Sequence, residues 1–332
     1  MKILVYLPRS LGATILSFPF LGALKENFPT SQIALITPVQ FSPLLEVLLP
    51  AYQQLPLPFI KDIPTLKNTS SKIKRAAFDV GILLDDSFSS ALLLFLSRIP
   101  ERWGYDREGR GFMLSRRLTL KATDPQLHLK DYFLNILKKI GLKSENSTFH
   151  WQMPTEISLR AEQKLIEFGL DPDKPLIIIK PGSSFGRSKV WPADYQIELI
   201  KKLLAANLQI ALIGSSASRE VSQRVSKAFD GQVADFCGQL QWSDIPGIMR
   251  RAKVFLGNDS GLTHLANVLG TPLVSLFGPT DPQICGPIFE PFKVLKKTVP
   301  CSPCTYRTCP YDHRCLNQIS PEEVFQAITD FL

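Results

Sequence analysis

The sequence has no long apolar run. Its longest uninterrupted apolar stretch is Ala91 to Leu96, far short of the roughly 20 residues a helix needs to cross a bilayer, so no transmembrane helix is expected. A secretory leader is equally unsupported. Pro8 and Arg9 end the opening apolar stretch after Leu7, below the roughly 7 to 15 residues of a signal core, and a cytoplasmic location follows as the expectation. No Gly-x-Gly-x-x-Gly follows the first apolar strand and no Gly-x4-Gly-Lys-Ser/Thr occurs anywhere, which argues against a dinucleotide oxidoreductase and a P-loop nucleotidase. Charged residues make up only 20% of the 332, against 45% apolar. That balance excludes a disordered or collagenous chain and suits one large domain or, better, two of about 150 residues each.

Cysteine is scarce and unevenly placed. Cys237 and Cys285 stand alone, whereas Cys301, Cys304, Cys309 and Cys315 are clustered. In a reducing compartment such a cluster suggests metal binding or free thiols before disulfides. Lys and Arg number 38 against 30 Asp and Glu, a formal charge of +8. This favours anionic partners such as nucleic acid, phosphorylated ligands or an anionic membrane face, without choosing among them.

The first apolar run, Lys2 to Leu7, has the continuous character of a parallel strand buried on both faces, and Pro8-Arg9-Ser10-Leu11-Gly12 leads from it into a helical pattern ending near Asn27. Ile33 to Thr37 and Val80 to Leu84 are further buried strands separated by helical segments. A polar, aperiodic connection, Lys143 to Thr155, follows. Beyond it the grammar restarts, with strands at Leu176 to Ile179, Gln209 to Ile213, Val233 to Phe236, Val254 to Leu256 and Pro272 to Phe277 and helices opening near Pro192, Ser218, Ser243 and Ser260. Ser320-Pro-Glu-Glu323 is a capping box opening a last helix. The fold expected is α/β, with two Rossmann-like parallel-sheet domains facing across a cleft: 1–152, 153–318, and a C-terminal helix at 319–332 packing back across both. Ligands of such sheets bind beyond the carboxyl ends of the strands.

Post-strand loops are therefore where chemistry is sought. Gly257-Asn-Asp-Ser-Gly-Leu-Thr-His264 follows a strand and opens a helix, so the amides of Ser260, Gly261 and Leu262 would face a diphosphate. Asp259 is a candidate ligand-side carboxylate, with helix capping as its ordinary alternative; His264 is either a site residue or a packed histidine. Lys180-Pro-Gly-Ser-Ser-Phe-Gly-Arg-Ser-Lys189 brings Ser183, Ser184 and a lysine to the same edge. Lys189 can neutralise charge on a phosphate leaving group, unless it is merely solvated. Gly214 to Glu220 adds Glu220 as a candidate ribose or base contact, and Phe277-Gly-Pro-Thr-Asp-Pro282 is a fourth loop. Four polar loops at one sheet edge suggest a nucleotide that serves as a donor's leaving group.

With these motifs in place the chain resembles the bacterial ADP-heptose:lipopolysaccharide heptosyltransferases, glycosyltransferase family 9, and most of all the heptosyltransferase II type. The resemblance runs nearly end to end, through Met1-Lys-Ile-Leu-Val5, Ser10-Leu-Gly12, Leu24-Lys25, Phe28-Pro29, Asp86-Ser-Phe88, Arg98-Ile-Pro100, Lys189-Val-Trp-Pro192, Asn258 to His264 and Phe277-Gly-Pro279. It implies a GT-B fold, an acceptor domain followed by a donor domain, and metal-independent inverting sugar transfer. It also implies that Lys189, Asp259, Ser260, Gly261, Leu262 and His264 hold the nucleotide sugar, with Ser183, Ser184 and Glu220 as further contacts. One position departs. Family members usually carry Ser-Leu-Gly-Asp, the Asp being regarded as the base that deprotonates the acceptor hydroxyl, and this chain has Ala13 there. A methyl group accepts no proton, and general-base help is typically worth about 10²- to 10⁴-fold. The change reads as an introduced Asp-to-Ala substitution, the alternative being a natural, weakly active or repurposed relative.

On the acceptor side Ser10, Gly12, Asp86 and Ser87 are the loop candidates. Arg98 to Lys121 holds Arg98, Arg102, Arg107, Arg110, Arg116, Arg117 and Lys121 against Glu101, Asp106 and Glu108. Guanidinium forks of this kind suit carboxylates and phosphates, here those of a Kdo/heptose-lipid A inner core, with a solvated helix face as the alternative. Basic and aromatic residues do not interleave as base stacking requires, so nucleic acid is not expected. A lipid acceptor implies a peripheral position on the cytoplasmic face of the inner membrane. No cofactor is required for transfer. Cys301, Cys304, Cys309 and Cys315, with His313 as a substitute, are candidate ligands for structural zinc or iron, as in some relatives, with free thiols or a disulfide as alternatives. The function expected is transfer of L-glycero-D-manno-heptose from ADP-heptose to the lipopolysaccharide inner core. A non-catalytic nucleotide-sugar-binding or sensor relative, and a transferase with another sugar or acceptor, are the alternatives.

Overall fold

Strands made only of large apolar side chains are stable where helices cover both faces of the sheet. The computed structural model, which describes residues 1–58, 62–121, 123–145, 149 and 151–332, is built on that rule twice. It divides into two compact units, Met1–Phe149 and His150–Leu332.

In the first unit β1 (Lys2–Tyr6), β2 (Gln32–Pro38), β3 (Gln53–Leu57), β4 (Val80–Leu83), β5 (Glu101–Tyr105) and β6 (Arg116–Leu118) form one sheet in the order 3-2-1-4-5-6. Every pairing is parallel, with Leu4 opposite Ala34 on one side and Gly81 on the other. Ile3, Leu4 and Val5 are fully buried at its centre.

The second unit repeats the plan. Its strands β7 (Leu176–Ile179), β8 (Gln209–Leu212), β9 (Val233–Asp235), β10 (Ala252–Asn258), β11 (Leu273–Phe277) and β12 (Phe292–Lys296) run in the order 12-11-10-7-8-9, again all parallel. Counted from its own first strand this is the same order as in the first unit. The strand order thus reverses between β1 and β4 in one sheet and between β7 and β10 in the other, the two places where a ligand crevice forms outside the carboxyl ends.

Loops hand over to helices through serine caps. Ser10, Ser87, Ser260 and Ser320 each accept a hydrogen bond from a first-turn amide, of Ala13, Ser90, Thr263 and Glu323 respectively, contributing about 1 kcal/mol apiece. The last helix, Pro321–Thr329, puts Val324, Ala327 and Ile328 into the second unit's own core beside Trp191, Leu199 and Leu203. Lys202–Glu322 and Lys297–Glu323 ion pairs, both 2.8 Å, fix it there. The helix expected to pack back across both halves therefore has these contacts within the second. No helix among the described residues is long and apolar enough to cross a membrane.

Candidate functional site

At the switch point of the second sheet, β7 ends into Lys180 and β10 ends on Asn258. Both side chains are buried, and Lys180 Nζ donates to Asn258 Oδ1 at 3.0 Å and to the Gly182 carbonyl. Asn258 Nδ2 in turn donates to the carbonyls of Lys189 (2.6 Å) and Gly182 (3.2 Å). One amide side chain thereby ties the end of β10 to the loop that carries Lys189.

The loop delivers its lysine to the next residue along. Lys189 Nζ pairs with Asp259 Oδ2, and His264 Nε2 lies 3.4 Å from Asp259 Oδ1, so the two carboxylate oxygens face a cation and an imidazole. All three side chains are nearly enclosed, Lys189 being 12% and His264 4% exposed. Burial pushes the Asp259 carboxyl upward, but the bond to His264 and the Lys189 charge outweigh it and hold the group well below the usual carboxylate range. Cys285 Sγ lies 3.9 Å from Asp259, and burial with that neighbouring charge pushes its thiol up to about 12. Burial pulls Lys180 down to about 8.

Asp259 does not cap the helix Gly261–Val268; Ser260 does, its Oγ accepting from Thr263 N at 3.4 Å. The Asp259 side chain is thus released for Lys189 and His264, while the first-turn amides of Gly261 and Leu262 have no intrahelical acceptor by construction. His264 Nδ1 is buried without a partner. Ser183 is half-buried, its Oγ accepting from Phe185 N at 3.2 Å, and Ser184 is exposed. Glu220 stands apart, 79% exposed and 3.0 Å from Arg187, which is 78% exposed. It is a surface pair at the rim.

The loop around Lys189 is braced from behind by the cysteine-rich segment. Ser188 N and Oγ donate to the carbonyls of Arg307 (3.0 Å) and Tyr306 (2.5 Å), His313 Nε2 lies 2.6 Å from the Ser188 carbonyl, and Gly186, at φ +152°, lies against Arg307 where a Cβ would collide. Cys301, Cys304, Cys309, Cys315 and His313 line one small hollow. Among the described residues no three His, Cys, Asp or Glu side chains form a group able to hold a metal ion. His313 is committed to the Ser188 carbonyl and Cys315 is buried beside Gly278 and the core residue Leu316, so the segment is held by its backbone and its packing. All six cysteines are free thiols.

The first sheet's switch point is more open. Arg9 Nε lies 3.2 Å from Asp85 Oδ2, and Arg9 Nη2 donates to Ser87 Oγ (2.8 Å) and Ser89 Oγ (2.9 Å). Ser10 and Gly12 lie in the loop and first turn after β1, with Ala13 half-buried in that turn. Ser87 caps the helix Phe88–Leu96. Asp86 is bound by the Tyr132 hydroxyl at 2.7 Å and by Arg110 at 3.1 Å, and burial raises its carboxyl despite both.

Two of the basic candidates are spent inside the fold. Arg110 is fully buried, donating to the carbonyls of Asp85, Tyr105 and Ser87 as well as to Asp86; it holds the Asp85-Asp86 loop in place and presents no charge to solvent. Arg102 is half-buried and gives its guanidinium to the carbonyls of Ile99, Pro100 (3.0 Å) and Met113 (2.6 Å). Arg98 precedes β5 and Arg102 is its second residue, so in a parallel sheet both lie at the amino edge, away from Ser10, Gly12, Asp86 and Ser87. Arg107 is exposed at the carboxyl edge. The basic stretch therefore does not form one surface. Lys180 and Asn258, which organise the loops at the second sheet's switch point, carried a sequence signal of their own: Lys180 directly follows the all-apolar β7, and Asn258 is the polar residue that closes β10.

The model of glycosyltransferase family 9 (heptosyltransferase) matches residues 68–314. Lipopolysaccharide heptosyltransferase 2 of Salmonella typhimurium is 27% identical over 306 residues, 89% of this chain and 88% of that protein. The structure of the Escherichia coli ADP-heptose lipopolysaccharide heptosyltransferase II superposes with a TM-score of 0.87 at 24% identity, covering 100% of this chain and 98% of that one. A family 9 glycosyltransferase structure from Veillonella parvula gives 0.87 at 22% identity, over 99% and 96%. The two parallel sheets are those of a GT-B-like fold, and the chain belongs to glycosyltransferase family 9, the heptosyltransferases.

Proposed function

We propose that this chain binds ADP-heptose in its second unit and is built to transfer the heptose, with inversion, to the inner core of lipopolysaccharide. The observation that carries the reading is the Lys189–Asp259–His264 constellation beside the open first turn of the helix Gly261–Val268. A pyrophosphate is an anion whose charge grows as the sugar leaves. The helix amides and Lys189 stabilise that charge where it develops, and Asp259 holds Lys189 and His264 in position until the ligand arrives. The acceptor hydroxyl attacks the anomeric carbon from the face opposite the pyrophosphate. The glycosidic C–O bond breaks with its electron pair passing to ADP, and the hydroxyl proton must go to a base.

Position 13 is where the family supplies that base, and Ala13 supplies none, so in this chain the proton leaves to water. The acceptor is assigned to the carboxyl edge of the first sheet around Ser10, Gly12, Asp86 and Ser87, on the cytoplasmic face of the inner membrane. Ala13 also favours a second reading, a nucleotide-sugar-binding relative that no longer transfers. Calorimetry with ADP-heptose and a transfer assay on the chain and its Ala13→Asp variant decide between them. Binding by both with transfer gained by the variant supports the transferase. Binding with equal, negligible transfer by both supports the binding protein, and absence of ADP-heptose binding overturns both.

A further inference from the structure

A surface helix ordinarily turns apolar residues to the core and polar ones to water. The helix Phe88–Leu96 does not. Its inner face, Ala91, Leu93 and Leu94, is fully buried against the first sheet, yet Phe88, Phe95 and Leu96 on the outer face are 40%, 42% and 41% exposed, with half-buried Leu92 between them. Positions 88, 92, 95 and 96 follow the i, i+4, i+7, i+8 spacing of one helical stripe. Phe112 extends the stripe: it is 71% exposed and its ring centroid lies 6.4 Å from that of Phe88. The Glu108 carboxylate accepts from Phe88 N at 2.9 Å and so pins the 107–112 loop to the start of the helix.

The rim of this stripe is basic. Arg98 and Arg102 share an open hollow with Phe95 and Leu96, and the Arg102 guanidinium sits 5.5 Å above the Phe95 ring; Arg107 stands exposed in the loop that carries Phe112. The whole first unit has 19 Lys and Arg against 12 Asp and Glu, whereas the second has 19 against 18. Nearly all of the chain's +8 thus resides in the unit that exposes the apolar stripe.

We propose that the outer face of the helix Phe88–Leu96, with Phe112, docks on the surface of an anionic phospholipid bilayer, the aromatic and leucine side chains entering the headgroup layer and the exposed Arg98 and Arg107 meeting lipid phosphates. Clustered exposed apolar side chains mark an interaction surface, and the combination of an apolar stripe with a basic rim suits an interfacial segment. A second copy of this chain is the poorer occupant, because a symmetric contact would set Arg98 and Arg102 of both copies against each other. The inference refines the peripheral position proposed above by assigning its face, and it stands on exposure and charge independently of the sugar.

Flotation with vesicles of phosphatidylglycerol and phosphatidylethanolamine, compared with phosphatidylcholine vesicles, tests it. The protein is expected to float with the anionic vesicles, and Phe95→Ser/Leu96→Ser/Phe112→Ser to lose at least tenfold in partitioning while keeping its thermal midpoint and ADP binding, since all three side chains face solvent. Equal flotation of parent and triple variant, equal binding to neutral vesicles, or a solution dimer that the triple variant dissolves would each overturn the proposal. In an Ala13→Asp background, transfer to a deacylated, water-soluble acceptor is expected to be untouched by the triple substitution. If that background transfers nothing, the transferase reading falls while the flotation result stands or falls by itself.

Discussion

The two halves of this molecule share one fold and differ at their switch points. In both, the loop after the first strand sets a cation against a polar side chain that follows the fourth strand. In the second half the pair is Lys180 and Asn258, 3.0 Å apart and buried, each further bonded to loop carbonyls. In the first it is Arg9 and Asp85, 3.2 Å apart with Arg9 43% exposed. One switch point is closed and pre-organised. The other is open, its arginine reaching solvent. One topology thus carries two degrees of closure, set by how far the strand-end side chains are buried.

The sharpest way to break this contrast is at position 13, in the open half. Replacing Ala13 by Asp is expected to raise the rate of heptose transfer by about 10²- to 10⁴-fold with little change in ADP-heptose affinity, measured by initial rates and calorimetry. A gain in affinity without a gain in rate would show that residue 13 belongs to donor binding and would erase the division of labour.

Next in size is Arg110, the one fully buried arginine of the first half. Arg110→Met removes the donor that satisfies three carbonyls and leaves the partly exposed Asp86 with Tyr132 but without its cation, a loss on the order of 3 kcal/mol, most of it from the buried carbonyls left unpaired. The first unfolding transition in calorimetry is expected to fall by roughly 10 °C, with ADP binding in the other half unchanged. Unaltered stability would mean that the Asp85-Asp86 loop is held by something other than the guanidinium.

Lys180 sharpens the contrast from the closed half. Burial lowers it to about 8, below the roughly 10.4 of an unfolded lysine. Between those values the unfolded chain binds more protons, so free-protein stability rises with pH across that window. Bound pyrophosphate favours the ammonium form, so ADP affinity is full below pH 8 and falls as pH rises through it, by up to about tenfold per unit. Lys180→Met is expected to bind ADP about tenfold more weakly with a flat profile, read by calorimetry across pH 7 to 9. A wild-type profile that is itself flat would remove Lys180 from the site.

Much of this architecture was legible in the residues, and each failure has a physical cause. Runs such as Leu176 to Ile179 or Lys2 to Tyr6 announce strands because both their faces are buried. β3, β6 and β12 escaped because they are sheet edges, where Gln53, Arg116 and Lys296 can meet water and Pro56 costs little; β5 escaped because Glu101 and Arg102 interrupt its apolar character. The polar loops at the carboxyl edge of the second sheet were readable because their polar residues follow strands directly. The distribution of the basic stretch was not legible, because linear charge density says nothing about which edge of a sheet a residue occupies: Arg98 and Arg107 are nine positions apart but at opposite ends of β5.

The smallest effect is expected at Glu220, and it tests whether the closed half extends to its rim. The sequence placed Glu220 among the donor contacts, on the strength of a polar loop after β8. The structure pairs it with Arg187 at 3.0 Å, both side chains nearly four-fifths exposed, and a pair so solvated contributes between nothing and about 1 kcal/mol. Glu220→Ala should therefore change ADP affinity by no more than about twofold, and added salt should shrink even that, because screening weakens exposed pairs first. A loss of tenfold or more, persisting at high salt, would mean that the carboxylate leaves Arg187 to bind the nucleoside once the ligand is present. The pre-organised part of the donor site would then end at Lys189, and its rim would close only on binding.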